Sequence, residues 1–150
     1  MKIEEAIHQS RPFRSDHQRA VVNLIYTHNW LAEQLKSFFK PYGITSQQYN
    51  VLRILKGAGK PISTSIIRER LLYKMADASR MVDRLHQKKL VIRKVCISDK
   101  RLVDVKLSKK GNELLELIDK DSLVMDSLMQ SLSSQEALLL SDLLDKARTE

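Results

Sequence analysis

The sequence contains few of the residues from which catalytic and metal sites are built. Its 150 residues include one cysteine, Cys96, which excludes an internal disulfide and a CxxC zinc knuckle. The four histidines form no HxxxH or HxH pair, so we expect no zinc sensor unless distant residues assemble one. The chain also has no phosphate-binding loop, metal pair or nucleophile elbow. We therefore expect a protein that is not an enzyme and that needs no cofactor.

Long apolar segments are absent as well. No run approaches the ~18 apolar residues needed to cross a bilayer. The opening residues, MKIEEAIHQS, carry acidic side chains where a signal peptide would have a basic end and an apolar centre. These features predict no membrane partner and a cytoplasmic location. With 43% hydrophobic and 29% charged residues the composition is ordinary, and the length predicts one domain over 1–150.

Positive charge is concentrated in the middle of the chain. The net charge is +8, yet residues 45–110 alone hold seventeen Lys or Arg against five Asp or Glu, whereas the two flanks together hold nine against thirteen. A concentrated basic region suggests a polyanion partner, and DNA or RNA is the commonest one in the cytoplasm. A solvated basic surface would explain the composition equally well.

The spacing of apolar residues predicts a mainly helical chain after a polar N-terminal tail. Apolar positions three and four residues apart form a stripe on each predicted helix. Thr45 with Gln48, and Ser133 with Glu136, form capping-box patterns at two helix starts. The predicted helices cover 15–39, a segment from Thr45 to the glycines at 57 and 59, 64–72, 76–89, 112–132 and a last segment after Ser133.

The fourth predicted helix has one apolar face and one basic face. At 100° per residue, one side gathers Ala78, Met81, Val82 and Leu85, and the other gathers Ala76, Arg80, Asp83, Arg84 and Gln87. Two short helices joined by a tight turn, the second with a basic outer face, are typical of a helix-turn-helix whose second helix enters the major groove of DNA. A solvated face of an ordinary surface helix would show the same residues.

Two alternating segments follow this helix. Residues 91–97 and 103–107 alternate apolar and polar side chains around the charged tip SDKR, which predicts a small β-hairpin and an α+β fold. A hairpin directly after a recognition helix is the wing of a winged helix, which lies along the phosphate backbone or reaches into the minor groove. The negative potential of that groove attracts an arginine, and an aspartate two residues earlier can pair with its guanidinium. An ordinary charged hairpin tip is the alternative.

Five short motifs lie in and around these elements. They are YNVLRIL at 49–55, SRMVDRL at 79–85, LVIR at 90–93, DKR at 99–101 and VKLSKKG at 105–111. In order and spacing they match the motifs of the MarR (multiple antibiotic resistance regulator) transcription regulators, and the chain resembles that family over almost its whole length. The resemblance implies a winged helix-turn-helix over 45–111, flanked by helical dimerisation parts over 12–44 and 112–150.

The resemblance also implies roles for individual residues. The DNA-binding residues that it implies are Ser79, Arg80, Arg84, Asp99, Lys100 and Arg101. Arg101 would be the minor-groove residue of the wing, Asp99 its partner and Lys100 a phosphate contact, while the other three would lie on or beside the major-groove face. Lys74, just before the helix, is a candidate phosphate contact on charge alone.

The sequence departs from the family pattern at two places. Ala76 and Asp77 stand where the family often has small hydroxyl residues, which leaves the base preference open, because an aspartate there could cap the helix or accept from a cytosine amine. Lys89 replaces a frequent glycine, so the turn after the helix either forms without a positive φ or holds Lys89 under strain.

The C-terminal part carries more leucine than a small domain readily buries. The last predicted helix contains Leu138, Leu139, Leu140, Leu143 and Leu144. We expect this surplus to form a homodimer interface together with the first helix, as the resemblance also implies. An intramolecular bundle is the alternative.

These expectations together define a function. We expect a sequence-specific transcriptional regulator, specifically a repressor, that binds a pseudo-palindromic operator in double-stranded DNA as a homodimer. Members of the family often release DNA when a small aromatic or phenolic acid binds, and some respond to oxidation of a cysteine in the first helix. The first helix here has no cysteine, and Cys96 is expected to be a packing residue on a strand. The alternative is a sequence-independent architectural DNA-binding protein.

Overall fold

A computed structural model of the chain describes residues 1–95, 97–99 and 103–149, in two units, Met1–Phe38 and Phe39–Glu150. Helices dominate the chain, and the second unit contains a small antiparallel sheet, so the predicted mainly α fold with a β component is confirmed. Among the described residues, no helix is both long and apolar enough to span a membrane.

The first unit contains α1 (Ile3–Ala6) and nearly all of α2 (Asp16–Phe39). The prediction of an N-terminal tail without structure is wrong, because this segment contains α1. Ile3 of α1 is buried, and Glu4 pairs with Arg19 of α2, with 2.5 Å between Glu4 Oε1 and Arg19 Nε. The hydrogen bond from this guanidinium lowers the pKa of the Glu4 carboxyl below its ordinary value. Ile3, Ala6 and Ile7 have helical spacing, but a helix of four residues is too short for this spacing to be distinctive in the sequence.

The described part of the second unit combines six helices with a three-stranded sheet. In chain order its elements are α3 (Ser46–Ala58), β1 (Ile62–Ser63), α4 (Thr64–Arg70), α5 (Ala78–Gln87), β2 (Val91–Val95), β3 (Val103–Leu107), α6 (Lys109–Lys120), α7 (Ser122–Asp126) and α8 (Ser134–Ala147). Helix α3 contacts α4, α5, α6 and β3 and is therefore the centre of the core. The most completely buried side chains are Phe39, Val51, Leu52, Ile67, Leu71, Leu85, Val105, Leu115 and Ile118.

Side-chain caps begin the helices as the sequence indicated. The Thr45 hydroxyl accepts from the Gln48 amide, and the Gln48 side chain accepts from the Thr45 amide, both at 3.1 Å, which completes the predicted capping box of α3. Ser133 and Glu136 form the same arrangement at α8. Each cap is worth about 1 kcal/mol, so the starts of these helices are fixed locally.

The sheet has one strand more than predicted. Strands β2 and β3 pair antiparallel with Val91 opposite Leu107 and Val95 opposite Val103, which confirms the hairpin. The prediction of two strands is nevertheless incomplete, because β1 pairs with the other edge of β3 and gives the order β1-β3-β2. Pro61 and Ile62 predict a brief extended segment, but two residues are too short to show alternation, so only the structure reveals the pairing with β3.

Three predicted helices end elsewhere than the periodicity suggested. The segment 64–72 stops being helical after Arg70, and 76–89 is helical only over Ala78–Gln87. The segment 112–132 is not one helix, because α6 ends before Asp121, whose amide bonds to the Ile118 carbonyl at 2.9 Å, and α7 and a 3₁₀ turn follow. Apolar spacing continues across these breaks and therefore hides them.

Candidate nucleic-acid interface

Helix α5 presents its predicted polar face to solvent. Its buried side chains are Ala78, Met81, Val82 and Leu85. They face inward because α5 packs on α3, α4 and β2. Ser79, Arg80 and Arg84 are exposed on the outer side. Two guanidinium groups and a hydroxyl on an exposed helix can donate to base edges and to phosphates. Ala76, predicted on the same face, lies before the helix instead.

Asp77 is the N-cap of α5. Its Oδ1 accepts a hydrogen bond from the Arg80 amide at 3.0 Å, and its backbone is extended at φ −80° and ψ 100°. Of the two roles that the sequence left open, the structure supports capping. The carboxylate also lies at the positive end of the helix dipole, where a negative charge is stabilising.

The turn between α4 and α5 carries Lys74. Its ammonium group is exposed and donates to the Glu69 carbonyl at 2.5 Å. This hydrogen bond holds Lys74 near the end of α4 and close to the start of α5. The predicted phosphate contact of Lys74 is compatible with this position and stays a prediction.

Helix α5 ends in a Schellman motif, in which Lys89 occupies the position that is usually glycine. The Lys89 amide bonds to the His86 carbonyl at 2.9 Å, and the Leu90 amide bonds to the Leu85 carbonyl at 3.0 Å. Lys89 has φ +61°, the left-handed conformation that favours glycine. The structure thus answers the question that the sequence left open, because the turn keeps a positive φ without the glycine.

Arg93 joins the β2–β3 hairpin to α5. Its Nη1 donates to Asp83 Oδ1, and its Nη2 lies 3.3 Å from His86 Nδ1, so one guanidinium bridges two residues of α5. The sequence motifs indicate no role for Arg93. Asp83 and Arg93 belong to two of the quoted motifs, but only the Schellman turn between them decides that their side chains meet.

The wing tip is described only in part. Asp99 lies in the described segment 97–99 and its side chain is exposed. Lys100, Arg101 and Cys96 lie outside the described residues, so the expected phosphate contact, minor-groove contact and packing role stay predictions. In the part of the chain that the structure describes, no group of three His, Cys, Asp or Glu residues is placed to hold a metal ion.

A cleft of about 490 Å³ lies in the second unit, beside the end of α5. Its lining residues are Tyr42, Gly43, Ile44, Lys88, Leu90, Lys110, Glu113, Leu114 and Leu117. The Lys88 ammonium donates to the Gly43 carbonyl at 2.6 Å and to Gln48 Oε1 at 3.0 Å, and the Lys110 ammonium donates to the Lys88 carbonyl at 3.1 Å. The cleft therefore joins apolar walls to two cationic groups that also hold the segment leaving α5.

Tyr42 is one of the residues that line this cleft. Its hydroxyl donates to Asp121 Oδ2, and this hydrogen bond, together with burial and the carboxylate charge, raises the pKa of Tyr42 above its ordinary value. A raised pKa means that the neutral phenol is the favoured form in the folded protein. The contact stabilises the fold at neutral pH and is lost as the pH rises through the pKa of Tyr42.

The head of the protein, defined as residues 42–102, has elements that match those of known proteins. A family model described as the MarR family matches residues 42–102, from the turn before α3 to the predicted wing. The HTH-type transcriptional repressor MdtR of Bacillus subtilis is 33% identical over 107 residues, which cover 71% of this chain and 68% of MdtR. The chain belongs to the MarR family.

The likeness to MarR-family proteins extends beyond the head. The HTH-type transcriptional regulator FarR of Neisseria gonorrhoeae is 27% identical over 134 residues, or 89% of this chain and 91% of FarR. A point mutant of MarR from E. coli, complexed with operator DNA, has a TM-score of 0.73 and 27% identity over 85% of this chain and 92% of that one. The protein is a DNA-binding transcriptional regulator of the MarR type and not an enzyme.

Proposed function

We propose that the protein is a homodimeric repressor in the cytoplasm that binds a pseudo-palindromic operator and leaves it when a small aromatic or phenolic acid binds. The observation that carries this proposal is the exposed face of α5, with Ser79, Arg80 and Arg84 on a helix fixed at both ends. A two-fold dimer would present two such helices to half-sites about one helical turn apart. MdtR, at 33% identity, is a repressor, which favours repression over activation here.

Each candidate residue has a distinct role in this proposal. Arg80 and Arg84, with Ser79, would contact base edges or nearby phosphates in the major groove. Lys74 and Lys100 would contact phosphates, and Arg101 would enter the minor groove with Asp99 beside it. Base contacts specify the sequence, whereas phosphate contacts mainly position the protein.

Exposed apolar side chains support the homodimer. On α8, Leu138, Leu139 and Leu143 are 64%, 57% and 53% exposed, and none of the residues of this helix is buried. Exposed apolar groups that recur along one helix are typical of an interface. This exposure disfavours the alternative of a bundle formed within one chain.

The cleft beside α5 supports regulation by a small acid. Ile44, Leu90 and Leu114 can cover an aromatic ring, and Lys88 and Lys110 can receive a carboxylate. Because these two lysines also bond to the backbone at positions 43 and 88, a ligand that recruits them would disturb the segment that joins α5 to β2. Such a disturbance would misalign the recognition helix and the wing.

The experiment that tests the DNA-binding proposal is selection of bound sites from random DNA, followed by titration of variants on the selected duplex. We expect Arg80→Ala and Arg101→Ala to weaken specific binding about tenfold or more, since each removes a groove contact. Lys74→Ala should weaken binding to all DNA sequences alike and reduce the slope of log affinity against log salt concentration by about one. Lys120→Ala, which truncates an exposed lysine at the end of α6, is the matched control and should change neither property.

Equal affinity for selected and random DNA at physiological salt would replace the proposal with the architectural alternative.

The effector is tested separately, by calorimetry with 4-hydroxybenzoate and by its effect on the DNA complex. Lys110→Ala should weaken this binding about tenfold, while Lys109→Ala, one residue outside the cleft, should not. Equal binding by both variants would exclude the cleft as the effector site.

A further inference from the structure

The turn between α4 and α5 exposes an apolar side chain at the start of the recognition helix. Met75 is 100% exposed, and it is two residues before the N-cap Asp77. Two residues of extended chain span at most about 7 Å, so Met75 lies at the N-terminal end of α5. A fully exposed methionine gains nothing from the hydrophobic core, so its contribution to folding is small.

The turn holds Met75 in place on both sides. Leu71 is buried, the Leu72 amide donates to Asn50 Oδ1 at 3.0 Å, and the Tyr73 hydroxyl donates to Ser46 Oγ at 3.0 Å. After Met75, the Ala76 amide bonds to the Tyr73 carbonyl at 3.0 Å. Met75 is therefore presented to solvent by an ordered turn that is anchored on α3.

The charges around Met75 favour DNA over an apolar protein surface as its partner. Residues 68–84 hold five Lys or Arg against three acidic side chains. Two of those acids are already engaged, because Asp77 caps α5 and Asp83 binds Arg93. Basic side chains thus outnumber acidic ones in the segment that contains Met75, as expected where phosphates approach.

Resting on the proposed function, we infer that Met75 contacts the C5-methyl group of a thymine in each half-site and selects a T·A pair there. The N-terminal residues of a recognition helix are those that reach base edges in the major groove. Thymine alone presents a methyl group in that groove, and an apolar side chain recognises it by excluding water. The long, unbranched methionine side chain adapts to such a contact.

The test uses the full-length protein and the duplex selected from random DNA, with each thymine replaced in turn by deoxyuridine. Deoxyuridine pairs with adenine as thymine does and lacks only the methyl group. At one symmetry-related position, we expect the wild type to bind about fourfold more weakly for one replaced half-site and about fifteenfold for both, from the burial of one methyl each. Met75→Ala should bind the thymine and deoxyuridine duplexes equally at that position.

Leu72→Ala is the matched control, since it truncates another exposed apolar side chain of the same turn. It should keep the wild-type discrimination, and thermal unfolding should show that all variants stay folded. The inference is overturned if no fixed thymine is selected, or if Met75→Ala discriminates thymine from deoxyuridine as the wild type does. A protein without any selected site would instead refute the proposed function, so the two failures are distinguishable.

Discussion

Lys89 adopts a backbone conformation in which an ordinary side chain is strained. At φ +61° an L-residue is disfavoured by about 1–2 kcal/mol, whereas glycine loses only about 0.5–1 kcal/mol through additional chain entropy. We expect Lys89→Gly to raise the free energy of unfolding by about 0.5–1 kcal/mol, measured by urea denaturation at one protein concentration. The control is Gln87→Gly, at the last helical residue of α5, which should lower it by up to about 1 kcal/mol. A destabilised Lys89→Gly would mean that its side chain, and not its backbone, matters.

Gly111 is required because a neighbouring backbone group leaves no space for a side chain. A β-carbon on this residue of α6 would overlap the Leu90 carbonyl oxygen, whose position is fixed by its hydrogen bond from the Ser108 amide at 3.1 Å. We expect Gly111→Ala to lower the free energy of unfolding by about 1–3 kcal/mol. Gly57 is the matched control, because a β-carbon there would meet nothing within 4 Å and α3 is helical at this position. Gly57→Ala should stabilise by up to about 1 kcal/mol in the same assay.

At the scale of elements, the alignment of α5 with the wing depends on the pair Asp83–Arg93. Asp83→Asn removes a negative charge from a DNA-binding head, which by charge alone would strengthen DNA binding. We expect the reverse, a loss of about threefold in affinity for the selected site, because Arg93 no longer holds β2 against α5. Titration of labelled DNA measures it, and Asp126→Asn on α7 is the control that loses the same charge elsewhere. Stronger binding by Asp83→Asn would show that the pair does not position the wing.

For the whole molecule, α8 offers the clearest test of assembly. We expect a solution mass of twice the 17.3-kDa chain, and we expect Leu139→Glu with Leu143→Glu to give monomers that bind the operator at least about tenfold more weakly. Sedimentation measures the mass. Ser141→Glu is the control, because it lies about 200° around α8 from Leu139 and should leave the dimer intact. A wild-type monomer, or a dimer unaffected by both leucine changes, would exclude this interface.

Local patterns predicted most of the head because each depends on neighbours in the chain. The capping residues Thr45 and Ser133, the buried face of α5 and the β2–β3 hairpin all follow from periodicity and short-range hydrogen bonding. The same reasoning failed at α1 and at the end of α6, and at β1 it predicted a brief extended segment without the pairing to β3. In each of these places a distant partner or a local break, and not a repeating pattern, decides the structure.

The sequence by itself therefore determined the order of the main helices, the polar face of α5 and the family to which the chain belongs, since spacing and motif order are properties of the chain alone. Only the tertiary structure decided that Asp77 caps α5, that Lys89 keeps a positive φ, that Arg93 reaches Asp83, and that an anchored turn presents Met75. Those facts depend on which groups meet after folding. A sequence pattern cannot specify these contacts, because each requires that the packed core hold both partners in place.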